Sequence, residues 1–315
     1  MVPHVPDRTR VRLFFFLAAA CLLPWVGPAA ALAAGVLFSL SLGNPAPARV
    51  ALWSRLLLQA SVVGLGFGLG LETVLRVGAR SAGTTVAGIA LTLAAGALLG
   101  RLAGTSGPLS TLISFGTAIC GGSAIAAMAP VVKAKSDEIA VSLATVFTLN
   151  ATALLLFPAV GHLLHLDQGQ FGLWAGLAIH DTSSVVGAAS AFGPQALAVA
   201  TTVKLTRALW IMPCVLGAAL LARSDQKAKF PLFVLGFVAA AGTRTLLPSL
   251  QPLWDALFGV ARQGLVLTLF LIGTGLTRDV LRRVGARPLA QGAVLWLLVS
   301  AATLAAIVTG VIPAL

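Results

Sequence analysis

Long apolar runs, interrupted by proline, glycine or charged residues, account for most of this chain. Most of the runs approach the ~20 residues that a helix needs to cross the hydrocarbon core of a bilayer. The pattern predicts an all-α polytopic membrane protein with about ten or eleven transmembrane helices, discontinuous in places. The predicted segments are 13–26, 28–43, 55–71, 82–103, 108–131, 137–164, 170–191, 195–222, 229–248, 256–276 and 288–312.

The first two segments are open to more than one interpretation. Pro24, Gly27 and Pro28 either separate two short helices or kink one long helix. A signal peptide over 1–33 is the alternative, but we favour a retained anchor because the apolar run continues past any cleavage site. We expect one transmembrane domain over 1–315, with N-terminal helices over 1–43 and a repeat-containing core over 44–315.

Composition agrees with the membrane assignment and excludes several functions. Hydrophobic residues make up 58% of the chain, mean hydropathy is +0.98, and only 10% of residues are charged. The 21 Lys and Arg residues, against 9 acids, lie mostly in short gaps between apolar runs, with no basic face and no aromatic platform, so we expect no nucleic-acid partner. No phosphate-binding loop and no zinc or redox cysteine spacing occurs, so we expect no cofactor and no metal site.

The distribution of basic residues predicts the orientation. With eleven crossings and a cytoplasmic N-terminus, the inner loops hold 13 Lys and Arg residues and the outer loops hold 5. Because cytoplasmic loops are enriched in Lys and Arg, we expect a bacterial inner-membrane protein with its N-terminus inside and its C-terminus outside. The stretch 72–135 alone opposes this orientation. Its outer-loop cations are Arg76, Arg80, Lys133 and Lys135.

An internal repeat at an offset of 207 residues suggests inverted topology. Gly66–Leu69, Glu72 and Arg76–Arg80 reappear at 273–276, 279 and 283–287, so each copy has a Gly-x-Gly helix end, an acid and a basic turn. Seven predicted helices separate the copies, and an odd number places them in opposite orientations, as in inverted-repeat transporters. Chance similarity between glycine-rich helices is the alternative.

Two segments contain features that break a membrane helix. In 170–191, five consecutive polar residues, 180–184, include His180, Asp181 and Ser183, and such a stretch is tolerated where a helix is interrupted or lines a cavity. In 108–131, Gly121–Gly122 could unwind a helix and leave backbone N–H groups near Ser123 as anion donors. Close helix packing is the competing explanation for these glycines.

Three further polar residues are candidates for the same site, and His180 has two possible roles in it. Lys204 and Arg207 share one face of their helix near mid-span, where they would attract an anionic ligand or form a structural ion pair with Asp181. Asn150, mid-span in the preceding segment, is a candidate for hydrogen bonds to either interrupted helix. His180 is either a proton carrier or a structural histidine.

The combination of these motifs resembles the bacterial YeiH-type family, over about residues 30–312. The motifs are Gly116–Ile125 (GTAICGGSAI), Ala129–Ala134 (APVVKA), Ile179-His180-Asp181, Val185–Ala188 (VVGA), Lys204–Arg207 (KLTR) and the Gly275-Leu276-Thr277 turn. The family is described as uncharacterised membrane proteins or sulfate exporters. The resemblance implies a relative of the cation/proton antiporter and bile-acid symporter superfamily, with inverted repeats and crossed, broken helices. Family members have Glu where this chain has Asp181, which keeps the charge but shortens its reach.

These features predict a secondary transporter of a small anion, such as sulfate or a sulfonate, driven by an ion gradient with a coupling proton or cation. A cation/proton antiporter using Asp181, an intramembrane enzyme and a non-transporting membrane protein are the alternatives, and we expect no enzymatic activity. Oligomeric state is left open. The predicted substrate-binding residues are Gly121, Gly122, Ser123, Asn150, His180, Asp181, Ser183, Lys204 and Arg207.

Overall fold

The computed structural model describes residues 7–221, 232–275 and 285–313, and within these ranges the regular elements are all helices. Single turns of 3₁₀ helix lie at Gly66–Gly68 and Pro248–Leu250. The α-helices are α1 Asp7–Ala20, α2 Pro28–Leu42, α3 Pro47–Leu65, α4 Leu71–Ala103, α5 Gly107–Ala118, α6 Gly122–Met128, α7 Ser136–Leu163, α8 Gln168–Ala178, α9 Thr182–Phe192, α10 Pro194–Leu209, α11 Ile211–Leu221, α12 Leu232–Leu246, α13 Gln251–Gly275 and α14 Ala286–Val308.

Each of the eleven predicted segments contains at least one helix, so the all-α membrane fold is confirmed. Six spans in the described residues are long and apolar enough to cross a bilayer, and two shorter apolar helices accompany them. The N-terminal run forms two helices, α1 and α2, with Pro24 and Gly27 between them. Proline and glycine therefore separate two helices here rather than kinking one.

The predicted basic turn at Arg76–Arg80 is wrong, because these residues are helical. They belong to α4, whose 33 residues extend about 50 Å, longer than the roughly 30 Å hydrocarbon core. Val74 and Val77 are buried on one face while Arg76 and Arg80 are exposed on the other. An amphipathic helix extension therefore takes the place of the turn. The second copy of this motif lies mostly outside the described residues, at 276–284.

The chain forms two compact units, whose boundary falls inside α4. The first contains α1–α3, α12 and α13. Here a Cβ at Gly64 would meet Ala261, and one at Gly68 would meet Phe258, so α3 and α13 run antiparallel. The two Gly-x-Gly helix ends of the sequence repeat therefore point in opposite directions, as predicted. That the whole chain is a single domain stays a prediction.

Glycine contacts and aromatic rings hold the other helices of the first unit. A Cβ at Gly35 in α2 would collide with the Phe270 carbonyl of α13, so this crossing requires glycine. Phe14 in α1 packs against Phe270 with the ring planes tilted by 47° and the centroids 5.6 Å apart, and Gln263 donates to the Cys21 carbonyl at 2.7 Å. The order of these contacts shows that α1 also runs antiparallel to α13.

In the second unit, α5 and α6 form a hairpin that returns to the side it came from. Ser106, before α5, donates to Glu138 at the start of α7, and a Cβ at Gly116 would lie 3.1 Å from Val146, so α5 and α7 run parallel. Because α5 and α7 run parallel, the segment between them has to reverse the direction of the chain. The seven residues of α6 provide that reversal.

A second hairpin, α8–α9, repeats this arrangement. Gln168, at the start of α8, accepts from the Gln195 amide at the start of α10, and a Cβ at Gly176 would meet Val203, so α8 and α10 run parallel. Phe171 stacks on Phe192 with ring centroids 3.8 Å apart, which joins the two open ends of the hairpin. Since α7 lies between the hairpins, they approach from opposite ends of it.

These two hairpins correct the prediction that 108–131 and 170–191 cross the membrane. Each enters and leaves on the same side. Lys133 and Lys135 therefore move from the outer to the inner side of the predicted topology, which changes the Lys and Arg distribution from 13 inside and 5 outside to 15 and 3. Two fewer crossings leave the number odd, so the ends of the chain are still expected on opposite sides.

Candidate functional site

The tip of the first hairpin is the break between α5 and α6. Helix α5 ends at Ala118, residues 119–121 leave the helical conformation, and α6 begins at Gly122. Gly121 has φ +64° and ψ −128°, a conformation that side chains disfavour. The predicted unwinding at Gly121–Gly122 is confirmed. Packing also constrains these glycines, because a Cβ at Gly122 would lie 3.1 Å from Phe147.

The tip of the second hairpin contains three of the polar residues. Helix α8 ends at Ala178, and Asp181 is the N-cap of α9. The Asp181 carboxylate accepts from the Ser184 amide at 2.7 Å and from the Ser183 hydroxyl at 2.6 Å. Asp181 therefore satisfies donors at the start of α9, a role that sequence analysis did not assign to it.

The two tips meet. A Cβ at Gly121 would lie 3.0 Å from the Asp181 Cβ, so only glycine allows the first hairpin to come this close to the second. The breaks predicted from separate segments of the sequence thus form one site, in the middle of the second unit.

Lys204 and Arg207 bind backbone carbonyls at both tips. Lys204 Nζ donates to the Ile179 carbonyl at 2.5 Å, Arg207 Nε donates to the Ala118 carbonyl at 2.6 Å, and Arg207 Nη1 donates to the Leu177 carbonyl. These carbonyls lie at or just beyond the C-terminal ends of α5 and α8, where helical partners are missing and the helix dipole is negative. The two cations therefore stabilise both interruptions.

Neither cation forms a salt bridge with a carboxylate among the residues that the structure describes. Both side chains are fully buried, at 0% and 2% exposure. The structural ion pair with Asp181, one interpretation of the sequence, is therefore not formed. Arg207 Nη2 is buried and has no hydrogen-bond partner within the described ranges, although the rest of its guanidinium is bound.

Asn150 links α7 to the second tip. Its side-chain oxygen accepts from the His180 amide at 3.2 Å, which confirms the predicted bond to an interrupted helix. Asn150 Nδ2 and both ring nitrogens of His180 are buried and have no hydrogen-bond partner in the part of the chain that the structure describes. Buried polar atoms are nearly always paired, so this set of unpaired donors and acceptors distinguishes the site from an ordinary core.

Exposure differs across the predicted site. Ser123 is exposed and Asp181 is half-exposed, whereas Lys204, Arg207 and His180 are buried. Ser123 lies in α6, past the tip, and α6 has only seven residues and therefore a small dipole. The role of its backbone as an anion donor stays a prediction. The tips and the cations are brought together, and Ser123 is at the margin.

Two kinds of site group were not predicted from the sequence. The hydroxyls of Thr117 and Thr201 are buried near the tips without hydrogen-bond partners. Thr201 lies three residues before Lys204 on the same helical face, and this spacing is visible in the sequence. The carbonyls of Ala118, Leu177 and Ile179 could not be predicted in this way, because every residue has a backbone carbonyl.

Comparisons with known proteins place the chain in a family. Residues 24–292 match the family model described as "Conserved hypothetical protein 698". A UPF0324 membrane protein of Geobacter sulfurreducens is 60% identical over 294 residues, covering 93% of this chain and 95% of the relative. One from Bdellovibrio bacteriovorus is 49% identical over 313 residues, covering 96% of each chain.

A third UPF0324 membrane protein, from Bacteroides thetaiotaomicron, is 49% identical over 284 residues, with 89% of this chain and 86% of the relative covered. No solved structure matches. The family predicted from the motifs is thus confirmed, while the relationship to the antiporter and symporter superfamily stays a prediction. The chain belongs to the UPF0324 family of membrane proteins.

Proposed function

We propose that this protein is a secondary transporter of a small anion, such as sulfate or a sulfonate, in the bacterial inner membrane. One observation supports the anion above all: two buried cations occupy the meeting point of two helical hairpins, and among the described residues they have no carboxylate partner and one guanidinium nitrogen has no hydrogen-bond partner. Buried charges are normally paired, so an oxyanion would supply the missing negative charge.

The hairpins also suggest how access alternates. Hairpin α5–α6 approaches the site from one end of α7, and hairpin α8–α9 approaches it from the other. Withdrawal of either tip would open the same site to a different side of the membrane, which is the requirement for alternating access. With no phosphate-binding loop in the sequence, the driving force is an ion gradient, and a proton or cation is the coupling partner.

Asp181 provides the basis of a second candidate function. Asp181 is half-buried, whereas Lys204 and Arg207 are fully buried, so Asp181 is the most exposed of these three charged residues. A cation/proton antiporter would use this carboxylate as its carrier. Against it, the carboxylate already accepts hydrogen bonds from the Ser183 hydroxyl and from the amide and hydroxyl of Ser184, which fix it at the start of α9.

An enzymatic function receives less support from the geometry. Hydrolysis by a serine–histidine pair requires a ring nitrogen of the histidine within hydrogen-bond reach of the serine hydroxyl. Ser183 and Ser184 bind Asp181, and neither ring nitrogen of His180 has a hydrogen-bond partner. The described polar groups therefore form a helix cap rather than a nucleophile–base pair, and the proposal is a transporter without enzymatic activity.

The direct test is flux of labelled sulfate, sulfite and taurine into proteoliposomes that contain the full chain. We expect uptake of at least one of these anions, together with an increase in apparent melting temperature when that anion is added in detergent. A protein that neither transports nor is stabilised by any of the three would contradict the anion proposal.

A variant pair at Thr201 tests the site without removing a cation. Thr201→Asp places a carboxylate one turn from Lys204, where it would take the place of the anion, and Thr201→Asn is the neutral control of matched shape. We expect flux to fall about 10-fold or more in the Asp variant, the effect of losing charge-assisted hydrogen bonds, and to remain largely intact in the Asn variant. Equal flux in both would place the substrate elsewhere.

Asp181→Asn separates the two candidate functions. Asn remains a good N-cap, so α9 is retained while the charge is removed. If the protein is an anion transporter, anion-dependent stabilisation persists in this variant. Sodium or potassium flux that requires Asp181 and does not depend on any anion would select the antiporter instead.

A further inference from the structure

An apolar groove runs along the first unit, between α1, α3 and α13. Its volume is about 650 Å³, and its lining is entirely apolar. Phe15, Leu22, Trp53 and Leu56 keep between 41% and 55% of their surface exposed, whereas Leu271 forms part of the buried floor. From Trp53 to Ala60, α3 forms about 10 Å of the groove wall. The groove is therefore elongated and lined by hydrocarbon.

One end of this groove is basic. Arg8 and Arg12 share the α1 face of Phe15, at spacings of seven and three residues, and Arg49 lies one turn before Trp53 on α3. Both α1 and α3 run antiparallel to α13, so their N-terminal ends lie on the same side. All three arginines are exposed, and Asp7 is the one acidic residue in α1.

We propose that the groove binds an anionic phospholipid, with an acyl chain along the groove and its phosphate held by Arg8, Arg12 and Arg49. The positive charge of the three arginines favours an anionic phospholipid over a zwitterionic one. Guanidinium groups also pair with phosphate in bidentate geometry. The side chains of arginines at a helix end reach into the headgroup region while their stems cover apolar surface. The predicted topology puts these arginines in the cytoplasmic leaflet, where anionic headgroups attract basic residues.

The test compares phosphatidylglycerol with phosphatidylcholine of the same acyl chains. The full chain is delipidated in detergent, supplied with an equimolar mixture, and the retained lipids are counted by native mass spectrometry. We expect phosphatidylglycerol to be retained over phosphatidylcholine. Arg12→Gln and Arg49→Gln should each reduce that preference about fivefold, the effect expected for one basic residue at a lipid surface.

Two controls separate a site from general attraction. Arg101→Gln removes an exposed cation at the end of α4, in the second unit, and should leave the preference unchanged. Ala60→Trp fills the groove and should lower retention of both lipids, whereas Ala94→Trp, at an exposed position of α4, should not.

Three results would overturn the proposal. They are equal retention of the two lipids by the wild type, an unchanged preference in both arginine variants, and loss of a dimer in Ala60→Trp with no change in bound lipid. The last would assign the groove to a second copy of the chain. None of these outcomes depends on transport, so the lipid proposal is tested independently of the proposed function.

Discussion

Arg207 shows most clearly how single residues define this site. Its guanidinium binds the last carbonyl of α5 and a carbonyl near the end of α8, so one side chain connects two helices that are far apart in sequence. From the sequence, Arg207 was predicted to be a ligand-binding cation. Its first role in the structure is to stabilise interrupted helices, and only Nη2 is left for another partner.

Replacing Arg207 should therefore affect folding as well as function. In Arg207→Met, the carbonyls of Ala118 and Leu177 lose their partner while remaining buried, and we expect a destabilisation of about 2–5 kcal/mol. The measurement is the apparent melting temperature in detergent. Arg101→Met, which removes an exposed arginine, should melt like the wild type, and equal melting of both variants would contradict the structural role of Arg207.

Gly121 is the second residue whose role depends on local conformation. Gly121→Ala introduces a Cβ at positive φ and 3.0 Å from the Asp181 Cβ, so we expect a loss of about 2–4 kcal/mol. Gly104→Ala is the control, because Gly104 has the same φ of +64° but open space around it. Its loss of stability comes from placing a Cβ at positive φ, without a collision. Thermal melting should rank Gly121→Ala well below Gly104→Ala, and similar values would show that the tips are not in contact.

At the scale of elements, the second unit is organised by two helical hairpins and the long helices that follow them. Each hairpin has an interrupted tip, and α7 and α10 supply the polar side chains that bind the tips. A backbone break of this kind is stable in a membrane only if its free carbonyls and amides are satisfied by protein. The sequence therefore combines helix-breaking residues in two segments with hydrogen-bonding residues in two others.

Helix α14 is fixed to this unit by Gln291. This buried side chain donates to the Ser110 hydroxyl at 2.8 Å and accepts from the Thr105 hydroxyl at 2.7 Å. Gln291→Ala removes both of these hydrogen bonds and leaves the two hydroxyls only their contacts with the Gly96 and Gly100 carbonyls, so we expect destabilisation of about 1–3 kcal/mol. Gln195→Ala, at an exposed position, should change the melting temperature little, and the two variants are compared in the same detergent.

At the scale of the whole molecule, the hairpins determine which loops share a side of the membrane. Cysteines at positions 133 and 164 test this in a background with Cys21, Cys120 and Cys214 replaced. With re-entrant hairpins and a cytoplasmic N-terminus, a membrane-impermeant maleimide should label Leu164→Cys in intact cells and Lys133→Cys only after permeabilisation. Eleven crossings predict the reverse pattern, so this labelling decides between the topologies.

Much of the protein was predictable from sequence because its physical cause is local. Apolar runs of sufficient length specify membrane helices, and Gly121–Gly122 and the polar stretch from His180 to Ser184 specify breaks. The spacing of Lys204 and Arg207 specifies a shared helical face. These features also identified the family, which the matches to known proteins confirm.

Only the tertiary structure showed that the two broken segments turn back. A run of about twenty apolar residues satisfies hydropathy equally well as one crossing helix or as two half-helices, because transfer free energy depends on composition and not on chain direction. The contacts that reverse the chain lie between residues distant in sequence, such as Gly121 with Asp181 and Gln168 with Gln195. The partners of the two cations were hidden for the same reason, since they are backbone carbonyls that every residue has and that only folding places within reach.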